Sequence, residues 1–454
     1  MNSNSRTMPR RLFLGHSGKL ALSALALARG AGAAQTAGSS GKTRLALVGT
    51  GSRGSATWGK RLIETHSDYI EHVGLCDINP KRLAYAARYM GVDVPLFEAK
   101  DFDRMIAETK PDAVIITTPD CFHVPYAIRT MELGVNPISE KSLATEAGQC
   151  QKLLETEKRT RRKVITTFNA RHGNSDEEIK KVLLNGDIGR VISAEYHEFL
   201  DTSHGADYFR RWHGKMRFSG SLLCHKASHH FDQMNWWLDA DPVEVNAFGK
   251  VSFYGKNNDF RAKNCRNCSF TDKCDFYWDI TKNKRYMDLY VANEDADGYL
   301  RDGCVWDDKI DTYDSMTVEV RYANDVLLSY SLDAYIPYEG QRMVFNGDKG
   351  RLDVRAYHRQ PWKVGGEADL RLTRIFGNTK AWTVSGSTGE HGGADDKLKD
   401  LLFKPGTPDP LGKAAGSRAG VMASLIGVAA RQSIQTGKRV KIADLIDFPI
   451  MWRW

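Results

Sequence analysis

Short apolar runs alternate with amphipathic stretches through the first third of the chain. Arg44-Leu45-Ala46-Leu47-Val48 reads as a buried strand, and residues 55–66 as the helix after it. The rhythm repeats with the strands Val73-Gly74-Leu75-Cys76 and Ala113-Val114-Ile115-Ile116, a helix over 124–133, and the brief apolar run Val135-Asn136-Pro137-Ile138. A charged amphipathic helix over 145–162 and the strand Val164-Ile165-Thr166-Thr167 complete it. Continuous apolar strands separated by helices predict a doubly wound parallel sheet, which binds ligands at the C-terminal ends of its strands. Over residues 312–360 the period changes to two, as in Met316-Thr317-Val318-Glu319-Val320-Arg321-Tyr322 and Val326-Leu327-Leu328-Ser329-Tyr330. With turns at Ala323-Asn324-Asp325 and Asn346-Gly347-Asp348-Lys349-Gly350, these are antiparallel strands of an open sheet. Val421, Leu425 and Val428 at helical spacing predict a helix over 414–436.

At 454 residues the chain has room for two or three domains. Hydrophobic residues make up 41% and charged residues 26%, a globular balance that excludes disordered, collagen-like and coiled-coil classes. The net charge of +8 is dispersed and partly carried by the N-terminal segment, so no nucleic-acid partner is expected. That segment reads as a leader. Arg10-Arg11 precedes the weakly apolar stretch Leu20-Ala21-Leu22-Ser23-Ala24-Leu25-Ala26-Leu27-Ala28, small residues at 31–34 and a Gly/Ser linker. This order is that of a twin-arginine export signal, which predicts a periplasmic or secreted protein without a membrane span. The expected organisation is a signal and linker at 1–43 and a first domain at 44–167. A second domain at 168–412 carries an insertion at 257–310, and a C-terminal helix and tail occupy 413–454.

The first strand runs into Gly49-Thr50-Gly51-Ser52-Arg53-Gly54, a G-x-G-x-x-G turn opening a helix. The glycines permit the tight turn, the approach of backbone to a pyrophosphate and helix–strand packing. The second strand ends in Asp77, where an acid holds both ribose hydroxyls of NAD and repels a 2′-phosphate; Lys81 and Arg82 close by leave NADP open. These features predict an N-terminal Rossmann domain. The fold class is therefore α/β, with a doubly wound parallel sheet followed by an α/β domain bearing a large open, mostly antiparallel sheet.

Together with Thr117-Thr118-Pro119 through His123 and with Glu140-Lys141, the glycine turn and Asp77 resemble the Gfo/Idh/MocA oxidoreductase family, which includes glucose–fructose oxidoreductase and inositol dehydrogenases. The resemblance covers nearly everything from residue 44. It implies cofactor contacts from Gly49, Gly51, Ser52, Arg53, Gly54, Asp77, Thr118, Pro119, His123, Glu140 and Lys141. It also places Lys141 beside the reacting carbinol, although Ser142 stands where the family usually has proline.

A second constellation follows in Cys224-His225-Lys226-Ala227-Ser228-His229-His230-Phe231-Asp232. His229 and Asp232 match family positions, and His225 stands where many members have an acid. On a helix, residues 225 and 229 share a face, so that two imidazoles can meet one substrate. Oxidation of an alcohol needs a base for the hydroxyl proton and a cation for the developing alkoxide. His229 is the expected base, Lys141 the cation, and His225 and Lys226 their assistants. The implied activity is hydride transfer from a sugar, glycoside or cyclitol hydroxyl to a tightly held NAD. An NAD-dependent glycoside hydrolase or lyase with a transient keto intermediate is the alternative, and a non-catalytic ligand-binding relative a third. The open sheet is expected to pair copies of the chain. Glu390-His391-Gly392-Gly393-Ala394-Asp395 reads either as a family loop returning to the active site or as a glycine hinge.

Cys265, Cys268 and Cys274 form C-x2-C-x5-C, and Cys304 lies thirty positions further on. Four thiolates from two segments suit one closed structural zinc site. Two disulfides or free thiols are the alternatives.

Overall fold

The computed structural model describes residues 41–451; the twin-arginine reading lies outside them. Six parallel strands form the first sheet: β1 (Thr43–Val48), β2 (Ile70–Asp77), β3 (Leu96–Glu98), β4 (Ala113–Ile116), β5 (Asn136–Ser139) and β6 (Ile165–Thr166). Their order is β3-β2-β1-β4-β5-β6. β1 therefore lies between β2 and β4, and the chain reverses direction across the sheet there, which opens a crevice at the strand ends. Ala113, Val114, Ile115 and Ile116 are buried throughout, as a strand covered by helices on both faces requires.

The helix after β1 departs from expectation. It begins at Arg53, and its first eight residues, Arg53–Lys60, have π geometry before α-helix resumes over Arg61–His66. Such bulges gather at functional sites, and this one lies directly on the glycine turn.

Nine strands form the second sheet: β7 (Val191–Asp201), β8 (Pro242–Lys250), β9 (Ser315–Tyr322), β10 (Leu327–Ile336), β11 (Glu339–Gly347), β12 (Gly350–Arg359), β13 (Ala368–Arg374), β14 (Thr379–Val384) and β15 (Val440–Lys441). Their order is β14-β13-β12-β11-β7-β10-β9-β8-β15, and the β7–β10 pair alone among these neighbours is parallel. β9 alternates buried Met316, Val318 and Val320 with exposed Thr317, Glu319 and Arg321. Helices Ala227–Leu238 and Ser417–Thr436 belong to the core that covers the buried face. Among the described residues no helix is long and apolar enough to cross a membrane.

One element crosses between the layers. Helix Ala394–Phe403, late in the sequence, places Leu398 and Phe403 in the same apolar cluster as Leu45, Leu47, Trp58 and Leu62 of the first domain.

Candidate active site

Parallel strands in the order β2-β1-β4-β5 bring Asp77, the glycine turn, Thr118-Pro119 and Glu140-Lys141 to one edge of the sheet. The turn can be built only from glycine at two of its corners. Gly49 has φ +89°, and a Cβ there would meet the Thr117 carbonyl carbon at 2.7 Å. A Cβ on Gly54 would come within 2.0 Å of the Gly49 carbonyl oxygen. Asp77 accepts hydrogen bonds from Thr50 N (2.6 Å), Thr50 Oγ1 (2.9 Å), Asn79 N (2.9 Å) and Arg82 Nη2 (3.0 Å), which fix its carboxylate at the end of β2. These residues fit a dinucleotide: the corners exclude side chains where a pyrophosphate approaches, and the acid is held where a ribose ends.

Three of the expected cofactor contacts have other partners. The Arg53 guanidinium binds Glu140 Oε1 (2.6 Å) and both oxygens of Asp395 (2.9 Å each) rather than pointing away from the turn. Glu140 also accepts from Trp58 Nε1 at 2.7 Å. His123 is 1% exposed and bridges two carbonyls, Ser142 O at 2.7 Å and Thr118 O at 2.8 Å. It therefore positions the loops after β4 and β5. Thr118 Oγ1 is buried without a hydrogen-bond partner among the described residues. The peptide between Lys141 and Ser142 is cis.

The Asp395 anchor lies in the stretch that reads equally well as a hinge. Asp395 joins Arg53, Asn169 Nδ2 (2.8 Å) and His391 Nδ1 (2.7 Å), so the loop does return to the glycine turn. Burial pushes the Asp395 carboxyl up, but Arg53 and His391 outweigh it and hold the group well below the usual carboxylate range.

Lys141 projects from the end of β5 toward the second domain. Its Nζ lies 3.4 Å from His225 Nε2 and 3.2 Å from the His225 carbonyl. The other nitrogen of His225, Nδ1, is 2.7 Å from Asp120 Oδ2. Tyr208, Trp212 and His213 wall the imidazole, with ring centroids 5.4, 5.5 and 4.2 Å away. Burial lowers the Lys141 ammonium to about 8, although Asp120 and Glu140 oppose the shift. Asp120 itself is 2% exposed, and burial raises its carboxyl.

His225 and His229 do not share one helix. A short helix, Leu222–His225, ends before Lys226, and a second, Ala227–Leu238, carries His229. Ser221, at φ +90°, opens the first of these helices: its amide donates to Ser219 Oγ (3.2 Å) and its Oγ accepts from the Leu223 amide (3.2 Å). His225 thus turns to Asp120 and Lys141. His229 is left with Nδ1 buried and unpartnered among the described residues. Burial, then the charges of Lys141 and Lys226, keep the His229 imidazole well below its ordinary value and so neutral. Lys226 is committed to Glu198 Oε1 at 3.1 Å. Burial would raise the Glu198 carboxyl, yet Lys226 and His230 hold it down at about 2. Asp232 forms a buried two-pronged pair with Arg171 (2.6 and 2.7 Å), and His230 Nδ1 bonds Tyr330 Oη at 2.9 Å.

Two carboxylates of this site, Asp120 and Glu198, escape a reading of the sequence as roles. Asp120 lies in the quoted 117–123 stretch, 105 positions from His225, and no local spacing links them. Glu198 is an acid in a strand whose pattern gives no sign of a buried charge.

Cys265, Cys268, Cys274 and Cys304 come together around one small cavity with Phe276 and Trp306. All four thiols are free. Arg210 Nη1 donates to Cys265 Sγ (3.0 Å) and the Phe270 amide to Cys268 Sγ (3.4 Å). Among the described residues no group of three or more His, Cys, Asp or Glu side chains is arranged to hold a metal ion. The expected zinc is therefore not supported: the fold brings the two cysteine segments to one cavity, joined by the Asn264–Gly303 bridge, without setting the sulfurs out as ligands.

The comparisons agree with this architecture. The family model for the Gfo/Idh/MocA NAD-binding Rossmann fold matches residues 43–168, and that for the family's C-terminal alpha/beta domain matches 180–442. The chain belongs to the Gfo/Idh/MocA oxidoreductase family. It is 33% identical over 422 residues to "Putative oxidoreductase YteT" of Bacillus subtilis (strain 168), covering 88% of this chain and 98% of that protein. It is also 26% identical to a glycosyl hydrolase family 109 protein of Shewanella pealeana, over 38% of this chain and 40% of that one. The WlbA dehydrogenase of Bordetella pertussis, solved with NADH and UDP-GlcNAcA, matches with TM-score 0.60 and 19% identity, covering 88% of this chain and 99% of that one. At that identity the likeness is one of fold.

Proposed function

We propose that this chain is an exported, NAD-dependent oxidoreductase acting on a hydroxyl of a sugar, glycoside or cyclitol. The observation that carries the reading is the contact of Lys141 with His225, with the neutral His229 within reach of the Lys141 charge, where the glycine-turn edge faces the second domain. NAD, held by the glycine turn and Asp77, would supply the hydride acceptor for the carbinol carbon. His229 is neutral and accepts the hydroxyl proton as the C–O bond becomes a carbonyl. Lys141, as ammonium, stabilises the oxygen while charge builds on it. Asp120 orients His225 through Nδ1, and His225 sets the position of Lys141. Lys226, held charged by Glu198, adds positive potential beside the reacting oxygen. WlbA, with its sugar nucleotide, supplies the substrate class by analogy only. Copies of the chain pair through the face of the second sheet on which Phe248 and Leu327 are exposed.

The likeness to a family 109 glycosyl hydrolase gives a second reading, in which oxidation is transient and a glycosidic bond breaks before the hydride returns. A panel of sugars and glycosides separates the two. Ketone with stoichiometric NADH supports the oxidoreductase; free monosaccharide without net NADH supports the second reading. Neither, with tight sugar binding, would make the chain a ligand-binding relative.

Cofactor choice follows from the surroundings of Asp77. Lys81 and Arg82, the cations able to receive a 2′-phosphate, are paired with Asp295 (2.5 Å) and Asp297 (2.6 Å). The Arg82 pair is the better buried, at 10% and 13% side-chain exposure, and carries more weight than the exposed Lys81 pair. In the double variant Asp295→Asn/Asp297→Asn, NADP should gain about tenfold against NAD, ~1.4 kcal/mol. Titration of both cofactors checks this; an unchanged ratio would remove these acids from cofactor selection.

A further inference from the structure

The inserted segment that carries the cysteines reaches the glycine turn. Within it, helix Lys284–Leu289 and the residues after it lie against the first domain. The Ser52 amide donates to Tyr290 Oη at 2.8 Å. Arg285 Nη2 donates to Ser52 Oγ at 2.9 Å and to the Ser52 carbonyl at 3.1 Å. Tyr290 Oη is also the nearest atom, at 3.5 Å, that a Cβ on Gly51 would meet. Arg285 Nε is buried with no partner among the described residues. The Arg285 guanidinium lies 5.2 Å from the Tyr89 ring centroid. Downstream, Asn79 Nδ2 donates to the Asn293 carbonyl (2.8 Å), and the ion pairs to Asp295 and Asp297 fix the segment beside Asp77.

We infer that Arg285 and Tyr290 are ligands of the cofactor's pyrophosphate, so that the insert completes the dinucleotide site. This rests on the reading of the chain as NAD-binding. In a bare glycine turn, phosphate oxygens take backbone amides. Here one of those amides is used by a tyrosine oxygen, which keeps its own proton to donate. The hydroxyl thus hands the amide's donor function one group further out. Arg285 adds a cation with an unspent N–H at the same turn, and charge-assisted bonds of this type are the strong ones. Arginine suits the task because its fork of donors stays charged at any working pH. The anchors at Asn79, Lys81 and Arg82 keep the segment in register with the ribose end of the site.

The test is direct binding of NAD, ADP and adenosine to the full chain by calorimetry, with the off-rate of NADH read by its fluorescence. Arg285→Ala and Tyr290→Phe should each weaken NAD and ADP by roughly 10–100-fold, the range of one charge-assisted hydrogen bond. Adenosine, which lacks the phosphates, should bind as it does to the wild type. NADH should leave the variants faster by a similar factor. Unfolding midpoints in urea establish that the variants remain folded, and Tyr290→Phe removes only the hydroxyl. If both variants hold NAD and ADP as the wild type does, the assignment is overturned. If they bind more tightly, the segment obstructs the turn instead, which also overturns it. A wild type that binds neither NAD nor ADP would defeat the NAD reading itself, a result distinguishable from either.

Discussion

Lys141→Met is expected to cut turnover by ~10²–10⁴-fold, the scale of a lost charge stabiliser, while leaving NAD bound. The side chain projects from the end of β5 toward His225 and takes no part in the glycine turn. Its pH dependence is the sharper measurement. Burial brings the ammonium down to about 8 against the pull of Asp120 and Glu140. As the role assigned here needs the protonated form, kcat/KM should fall as pH rises through about 8. The acid limb should lie below the ordinary imidazole range, because burial and the charges of Lys141 and Lys226 oppose protonation of His229. Lys141→Arg should move the alkaline limb upward, since a guanidinium stays charged. A rate that instead climbs through about 8 would make Lys141 the base and displace His229 from that role.

The largest loss of stability should come from Asp395→Ala. Its carboxylate is 1% exposed and holds Arg53, Asn169 and His391 at once. Its loss leaves the buried Asn169 donor without an acceptor, at about 1–3 kcal/mol, and takes from Arg53 one of its two carboxylates. Arg53 would keep Glu140, but the late loop would lose its anchor on the glycine turn. The unfolding midpoint in urea measures this. Because the folded carboxyl is depressed, its contribution is complete above the unfolded value near ~3.9 and drains away as pH falls towards the folded one. An Asp395→Ala midpoint equal to that of the wild type would sink this account.

What the sequence discloses depends on range. The glycine turn, Asp77 and Glu140-Lys141 are legible because each follows a short apolar strand, and parallel pairing carries every strand end to the same edge. His229 is legible from a motif eight residues long, His225 to Asp232. The geometry of His225 is not, because a helical period assumes an unbroken helix and the chain breaks at Lys226. The Asp120–His225 bond and the Glu198–Lys226 pair join segments whose separation only the packed domains close. Arg285 and Tyr290 lie 233 and 238 positions from Ser52, in a segment that advertises only its cysteines. The cysteine spacing promises a metal site, yet packing decides how the sulfurs face, and it does not set them as a ligand shell.

Helix Ala394–Phe403 gives the nucleotide-binding half an unusual pedigree. That half is finished by residues more than two hundred positions after its last strand, since Leu398 and Phe403 fill the same apolar cluster as Leu45, Leu47 and Trp58. The unit is a module in space but not on the ribosome. Its core stays open until almost the whole polypeptide has been made, so the two halves mature together. A graft or truncation ending near residue 168 would carry every glycine of the turn and still lack part of its own interior.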